Sequence, residues 1–310
     1  MDSFIGLDTS NYTTSCAAYI PSENKYVNSR KLLPVETGSI GLRQSDALFH
    51  HTKALPDIIK AALHSGKTIA AVGVSDRPRS QIGSYMPCFL AGVSAASAIA
   101  FSNNVKLYKF SHQAGQIAAA LFSADRLDLI GKPFISFHIS GGTTEALLTE
   151  YDKDDFFKTT IVAQSLDLKI GQAVDRIGRL LGLDFPAGKE LDNLSLKGSL
   201  PIKPKISVKG ADCSISGVEN KASELLKKGV SREDVAFYTI AYINETVDKM
   251  TDVLKIKYGD LPFVFAGGVM SNSYIRQHIF RKYGAVFASG ELSSDNAVGI
   301  AVMTALKNDK

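Results

Sequence analysis

The chain has 310 residues, of which 45% are hydrophobic, and 35 Lys and Arg stand against 31 Asp and Glu for a formal net charge of +4. That length is long for one core and comfortable for two, and the apolar fraction is enough to fill both, so a globular, two-lobed protein is expected. A charge this small, without a block of about five or more like charges, neither argues for RNA nor excludes it, and three widely spaced cysteines, Cys16, Cys88 and Cys213, exclude a disulfide framework or a Cys-based zinc clamp and fit a reducing cytoplasm.

In chain order, "SFIGLDTS" and "TTSCAAYI" alternate apolar residues around the polar "NY" and predict a β-hairpin. The start "MDSFIGLDTS" lacks the basic residue and apolar run of a signal peptide. A helix with apolar periodicity follows over 46–64, then the β-rich run "IAAVGVS" from 69. The most apolar window, "CFLAGVSAASAIAF" at 88–101, is too short to cross a bilayer and reads as a buried helix, so no membrane partner is expected. The strand "VKLYKF" leads into a helix that opens with "SHQAGQIAAAL".

A second hairpin is predicted in "FISFHISGGTTEALLT" from 134. It aligns with the first at an offset of 130 without gaps: Phe4, Ile5, Ser10, Thr13 and Thr14 match Phe134, Ile135, Ser140, Thr143 and Thr144. Duplication accounts for this. A strand over 160–163, a helix over 171–182 and an exposed connection "KGSLPIKPKISVKG" from 197 come next. Helices over 218–228 and 232–257, the buried strand "PFVFAGGV", and helices after Ser271 and Ser293 complete the chain. Two similar halves of mixed strands and helices predict two α/β lobes facing across a cleft: 1–130, and 131–310 with a helical and loop insertion around 171–257.

Several residues are candidates for chemistry. Gly141-Gly142 sits at a strand-to-strand turn, and Gly267-Gly268 lies between an apolar strand and a helix N-terminus. Such amides approach an anion closely and the helix dipole assists, although one such pair alone is commonly just a tight turn. Two pairs in duplicated halves favour a nucleotide. Asp8 follows an apolar strand and is either a carboxylate that holds a metal on a phosphate or a solvated turn residue. The helix "GQAVDRIGRLLGL" aligns Gln172, Asp175 and Arg179 on one polar side, where an Asp175–Arg179 surface pair is the plain alternative. "DFPAGKELD" brings Pro186, Gly188 and Asp192 to a helix start, and "SSDNAVGIA" offers Ser293, Ser294, Asp295 and Asn296 as a helix cap. His112 and Gln116 stand one turn apart, where two histidines would make half a metal site.

Taken in order, "GLDTSNYTTS", "HTKALPDII", "IGSYMPCFLAGVSAA", "SHQAGQ", "SGGTTE", "GQAVDRIGRLLGLDFPAGKELD", "CSISGVEN", "AGGVMSNSYIR" and "SSDNAVGIA" resemble the TsaD family over nearly the whole chain. These are tRNA threonylcarbamoyladenosine synthases, once labelled O-sialoglycoprotein endopeptidases. The resemblance implies an α/β, two-lobed actin/sugar-kinase/Hsp70-like fold with duplicated ribonuclease-H-like lobes. It implies transfer of a threonylcarbamoyl group from its adenylate to the adenosine beside the anticodon. By the same resemblance Ile139, Ser140, Gly141, Gly142, Thr143, Asp175, Gly188, Asp192 and Asn272 contact the adenylate or nucleotide, and His112 and Asp295 bind a metal. Asp8, His112 and Asp295 become the expected catalytic residues, with tRNA, threonylcarbamoyl-adenylate and proteins of the threonylcarbamoyl pathway as partners.

The chain also departs from the family pattern. The family has HxExH where this sequence has His112, Ala114 and Gln116, an acidic pair where Tyr12 and Thr13 stand, a histidine at Thr143, and "GPG" at Arg77, Pro78 and Arg79. A glutamine oxygen suits a hard cation better than zinc or iron, so one divalent ion, magnesium in place of iron or zinc, is expected beside ATP or an adenylate. Arg77 and Arg79 are either RNA-phosphate contacts or a solvated loop. Two other readings remain open: a nucleotide-binding paralogue that acts as a regulatory or scaffolding subunit, and a small-molecule kinase with Asp8 or Asp175 as base. An endopeptidase is disfavoured, because neither a zincin helix nor an activated nucleophile is visible.

Overall fold

A computed structural model describes residues 2–10, 12–34, 42–63, 67–292 and 296–309. The strands and helices run β1 (Asp2–Ser10), β2 (Thr13–Ile20), β3 (Lys25–Leu32), α1 (Gln44–Leu63), β4 (Thr68–Arg77), α2 (Phe89–Ser102), β5 (Lys106–Ser111) and α3 (His112–Ser123). They continue with β6 (Phe134–Ile139), β7 (Thr144–Asp152), β8 (Phe156–Gln164), α4 (Ile170–Leu180), α5 (Gly188–Ser195), β9 (Ser207–Lys209) and β10 (Asp212–Ser214). Last come α6 (Ser216–Lys227), α7 (Arg232–Tyr258), β11 (Phe263–Ala266), α8 (Ser273–Tyr283), β12 (Val286–Phe287) and α9 (Ala297–Asn308).

Two compact units emerge, one of residues 1–130, 151–158 and 291–310, the other of 131–150 and 159–290. In the first, a five-stranded sheet has the order β3-β2-β1-β4-β5. The predicted hairpin forms with Ser10 opposite Thr13, and β1 also pairs in parallel with β4. Alternation along β1 sends Ile5 and Leu7 to one face, where they pack with Leu55 and Ile58 of α1 and Ala96 of α2. It sends Phe4 to the other face, against Ala297, Val298 and Ala301 of α9. Both faces are covered, so the central strand is apolar nearly throughout. β3 was not expected: its mostly exposed "KYVNSRKL" has no apolar alternation, and Lys and Arg suit a sheet edge.

The second unit repeats the plan, with order β12-β11-β6-β7-β8. β6 pairs antiparallel with β7 and parallel with β11, as β1 does with β2 and β4. The duplication inferred from a handful of identities thus recurs in strand order and direction. Its core gathers Ile135 and Phe137 of β6, Ile177 of α4, and Ile243, Val247 and Met250 of α7. Burying each such side chain contributes on the order of 2 kcal/mol. The stretch expected as a bare connection after 197 carries β9, which pairs with β10.

The division differs from a cut at 130/131, because 151–158 and 291–310 group with the first unit. The apolar side of α9 is buried against Phe4, Ala17 and Tyr19, and Phe156 packs edge-on to Phe110 with centroids 6.1 Å apart. Neither contact is local in sequence. Among the described residues no helix is long and apolar enough to cross a membrane.

Candidate functional site: a nucleotide-sized cavity and a buried Asp–His pair

In the second unit three chain segments that are far apart in sequence enclose a cavity of about 430 Å³, within the ~300–1,000 Å³ range of small-molecule sites. The first wall is the turn between β6 and β7. Ser140 N–H donates to the Thr143 carbonyl at 2.8 Å, and the Thr143 amide donates to Ser140 Oγ at 3.2 Å, which folds Gly141 and Gly142 into a tight loop. α4 starts against this loop, with the Gly171 amide donating to the Ser140 carbonyl at 3.2 Å. A Cβ on Gly171 would lie about 2.5 Å from the backbone of Ser140 and Gly141, so only glycine permits this approach.

The second wall is Asp175 of α4 with the first turn of α5. Asp175 Oδ1 accepts the Ala187 amide at 3.0 Å, so its described partner is that amide rather than Arg179. The third is the segment after β11. Gly267 has φ of +99°, a conformation side chains rarely adopt, and its Cα abuts the Ile139 backbone. A 3₁₀ turn over Gly268–Ser271 intervenes before α8, so Gly268 does not open that helix directly. Asn272 caps α8 by accepting the Ile275 amide at 3.0 Å and donates through Nδ2 to Asp192 Oδ1 at 2.6 Å.

Eight expected residues therefore line one cavity: Ser140, Gly141, Asp175, Pro186, Gly188, Asp192, Gly268 and Asn272. Ile139, Gly142, Thr143 and Gly267 do not line it. Ile139 is wholly buried, Thr143 and Gly267 shape the two turns from behind, and Gly142 is exposed. Sequence reasoning missed Gly171, Val174, Lys189, Ile240, Val269, Ser271 and Ile275. Val174, Ile240 and Ile275 carry the pattern of ordinary core positions. Gly171 had a signal, since it opens a motif already singled out. Burial raises the pKa of Asp175, against the Ala187 hydrogen bond, and raises that of Asp192, against donation from Ser273 N–H and Asn272.

The other expected residues lie in the first unit. Asp8, near the end of β1, is 1% exposed. Ser75 Oγ of β4 donates to its Oδ1, and His112 Nδ1 at the start of α3 lies 3.0 Å from the same oxygen. Asp8 is thus a buried, paired carboxylate and not a solvated turn residue. Burial alone would raise its pKa; the His112 charge and the hydrogen bonds from His112, Ser75 and Ser10 outweigh that and hold it at about 2. The Asn296 side-chain amide lies 3.1 and 3.3 Å from the two ring nitrogens of His112.

Ser293, Ser294 and Asp295 lie outside the described residues, and Asn296 precedes α9 without a side-chain capping bond. Gln116 is half-buried one turn after His112. Among the described residues no group of three or more His, Cys, Asp and Glu is arranged to hold a metal ion. His112 Nδ1 is committed to Asp8 and the Asn296 amide approaches the other nitrogen, so these donors do not fit a zinc or iron centre, which takes several nitrogen or sulfur ligands. Arg77 is partly exposed, and Asp76 and Asp155 both pair with its guanidinium.

Two sheets of the same order, each flanked by helices, define the class of folds that includes actin and the sugar kinases. The chain is similar in fold to component A of the Acidaminococcus fermentans (R)-2-hydroxyglutaryl-CoA dehydratase, at TM-score 0.56 and 16% identity over 100% of both chains. It is also similar to a ROK family glucokinase from Streptomyces griseus, at 0.54 and 12% over 97% of this chain and 98% of that one. At such identities the likeness concerns fold alone. The family model for tRNA N6-adenosine threonylcarbamoyltransferase matches residues 27–302, and the chain belongs to that family. The tRNA N6-adenosine threonylcarbamoyltransferase of Syntrophus aciditrophicus is 31% identical over 82% of this chain and 76% of its own length. A probable bifunctional tRNA threonylcarbamoyladenosine biosynthesis protein of Thermoplasma acidophilum is 27% identical over 96% of this chain, which spans 54% of that protein.

Proposed function

We propose that this chain joins a threonylcarbamoyl group, delivered as its adenylate, to the N6 amine of the adenosine beside the anticodon of tRNA. The adenine nitrogen attacks the carbamoyl carbon, the bond from that carbon to the phosphate oxygen breaks, AMP leaves, and the nitrogen gives up a proton. The cavity lined by Gly141, Asp175, Gly188, Asp192, Gly268 and Asn272 carries the reading, because it joins glycine turns to hydrogen-bonding carboxylates in a space the size of a nucleotide. Membership of the transferase family supports it.

In this reading Asp175 and Asp192 accept hydrogen bonds from ribose hydroxyls, while the Gly141 and Gly268 amides face the phosphate. Rate enhancement comes mainly from positioning and from donors preset around developing negative charge. Asp8 fixes the ring orientation of His112, and these two form the catalytic pair of the first unit. Any divalent ion would be magnesium-like, held by Asp295 and by His112 Nε2 in place of the Asn296 amide, with the Gln116 oxygen as a poor third. ATP or the adenylate is the nucleotide ligand. The protein works in the cytoplasm with tRNA and proteins of the threonylcarbamoyl pathway.

Purified protein incubated with the adenylate and unmodified tRNA should yield N6-threonylcarbamoyladenosine, detected by nucleoside mass spectrometry. Asp192→Asn and His112→Ala should each abolish turnover. Tight AMP binding without any product would overturn acyl transfer. One zinc or iron per chain by elemental analysis would overturn the magnesium assignment.

A further inference from the structure

The second unit carries another concave surface, on the outer side of α8. A groove of about 320 Å³ is lined by Tyr274, Gln277, His278, Arg281 and Lys282. Their spacing of three to four residues sets them on one stripe of the helix. The stripe begins one residue from Ile275, which lines the nucleotide-sized cavity, and runs about 12 Å away from it at 1.5 Å per residue.

Charge and aromatic character are ordered along this stripe. α8 holds Arg276, Arg281 and Lys282 and no acidic residue. A helix C-terminus favours cations on its own account, which covers the last two but not the aromatic residue at the other end. The nearest opposing carboxylate is Asp248 of α7, which accepts from Lys282 at 2.7 Å and from the Tyr283 hydroxyl at 2.9 Å, and lies 3.2 Å from His278 Nε2. Arg276 lies over the Phe287 ring. Arg281 is exposed and enters no ion pair among the described residues. Tyr274 is 43% exposed, and its ring is held edge-on by Phe237, with centroids 6.2 Å apart.

An exposed ring followed by a cation is how proteins bind single-stranded nucleic acid, since a base stacks on the ring and the next phosphates meet positive charge. We propose that the α8 groove binds a single-stranded segment of the RNA substrate, with one base stacked on Tyr274 and the adjoining phosphates beside Arg281. This rests on the RNA-directed reading above. An acidic protein surface would use Arg281 and Lys282 but would leave the ring face without a role.

The test is fluorescence anisotropy of the full chain with a labelled RNA hairpin that bears an unpaired, adenosine-containing loop. AMP titration of the same samples serves as the fold and cavity control. Tyr274→Ala should weaken RNA binding about tenfold. Arg281→Gln should weaken it several-fold and lower the salt slope by about one. AMP affinity should hold in both, and Lys60→Gln on α1 should leave both affinities unchanged. Wild-type RNA affinity in both groove variants would overturn the groove while leaving the RNA-directed reading intact. AMP binding by the wild type with no RNA binding would overturn both. A loss that is equal for the RNA hairpin and for polyglutamate would assign the surface to an acidic protein and end the proposal.

Discussion

The carboxylate of the first unit and the two that line the cavity of the second respond to burial in opposite ways. Asp8 is almost fully enclosed, yet its pKa is held at about 2, because the His112 charge and then the hydrogen bonds from His112, Ser75 and Ser10 outweigh burial. Asp175 and Asp192 are less enclosed, yet theirs are raised, because their few donors do not offset lost hydration. A neighbouring opposite charge and the donors around each carboxylate, more than depth, set its pKa. The consequences for stability have opposite signs. Asp8 contributes stability that is complete above its unfolded pKa and is lost as pH falls from about 4 to about 2. Asp175 and Asp192 favour the folded state most when protonated, and that contribution fades as pH rises through their folded values. Under the proposed function, ribose hydroxyls would supply the donors that Asp175 and Asp192 have too few of.

Four measurements break or sharpen this contrast, in order of expected size. Asp8→Ala leaves the buried Ser75 hydroxyl and the partly exposed His112 ring without their shared acceptor and should cost about 3–5 kcal/mol in urea unfolding. AMP affinity should be unchanged. A matching fall in AMP affinity would show that the two carboxylate systems are not separable.

His51 provides a second buried group in the first unit. It is 0% exposed, Thr14 Oγ1 lies 2.8 Å from its Nδ1, and its Nε2 has no partner among the described residues. Burial lowers its pKa to about 4, despite the pull of Asp8 in the other direction. The unfolded chain therefore binds more protons between pH 4 and 6.5. Stability should be complete above 6.5 and should fall by about 3 kcal/mol as pH drops to 4. His51→Gln should flatten that slope in urea titrations across the window, and a slope that persists would remove His51 as its source.

Gly171→Ala tests the close approach in the second unit. Displacing α4 from the Ser140–Gly141 turn should cost about 1–3 kcal/mol and weaken AMP binding by calorimetry. Unchanged AMP affinity would mean that the turn does not hold the nucleotide. The smallest effect is expected from Asn272→Ala, which removes the α8 cap and one donor to Asp192 for about 1 kcal/mol of stability. AMP binding should become more sensitive to acid, because Asp192 then protonates more readily. A pH profile identical to wild type would contradict the donor-count argument.

Legibility in the sequence followed the range of the interactions. Both hairpins and the long α7 were readable, because alternation and helical periodicity are local signals. β3 was not, since an edge strand of charged residues has no pattern to read. In the site, Gly141, Asp175, Gly188, Asp192, Gly268 and Asn272 stood out by their motifs and line a single cavity. Val174, Ile240 and Ile275 did not, because an apolar residue on a pocket wall and one in a core look alike until their neighbours are known. The Asp175–Arg179 pair illustrates the reverse error: spacing allowed it, yet the Ala187 amide, brought close by a turn, took the carboxylate.

By itself the sequence determined the order of most elements, the internal duplication, the family, and which residues could meet a nucleotide, all of which depend on residues within a few positions of one another or on motifs repeated in order. Only the tertiary structure decided that Asp8 is a buried partner of Ser75 and His112, that Asn272 grips Asp192 from 80 positions away, and that α9 belongs with β1. Those outcomes depend on which distant segments share a core. That is settled by burying apolar faces against each other, and no local pattern records it.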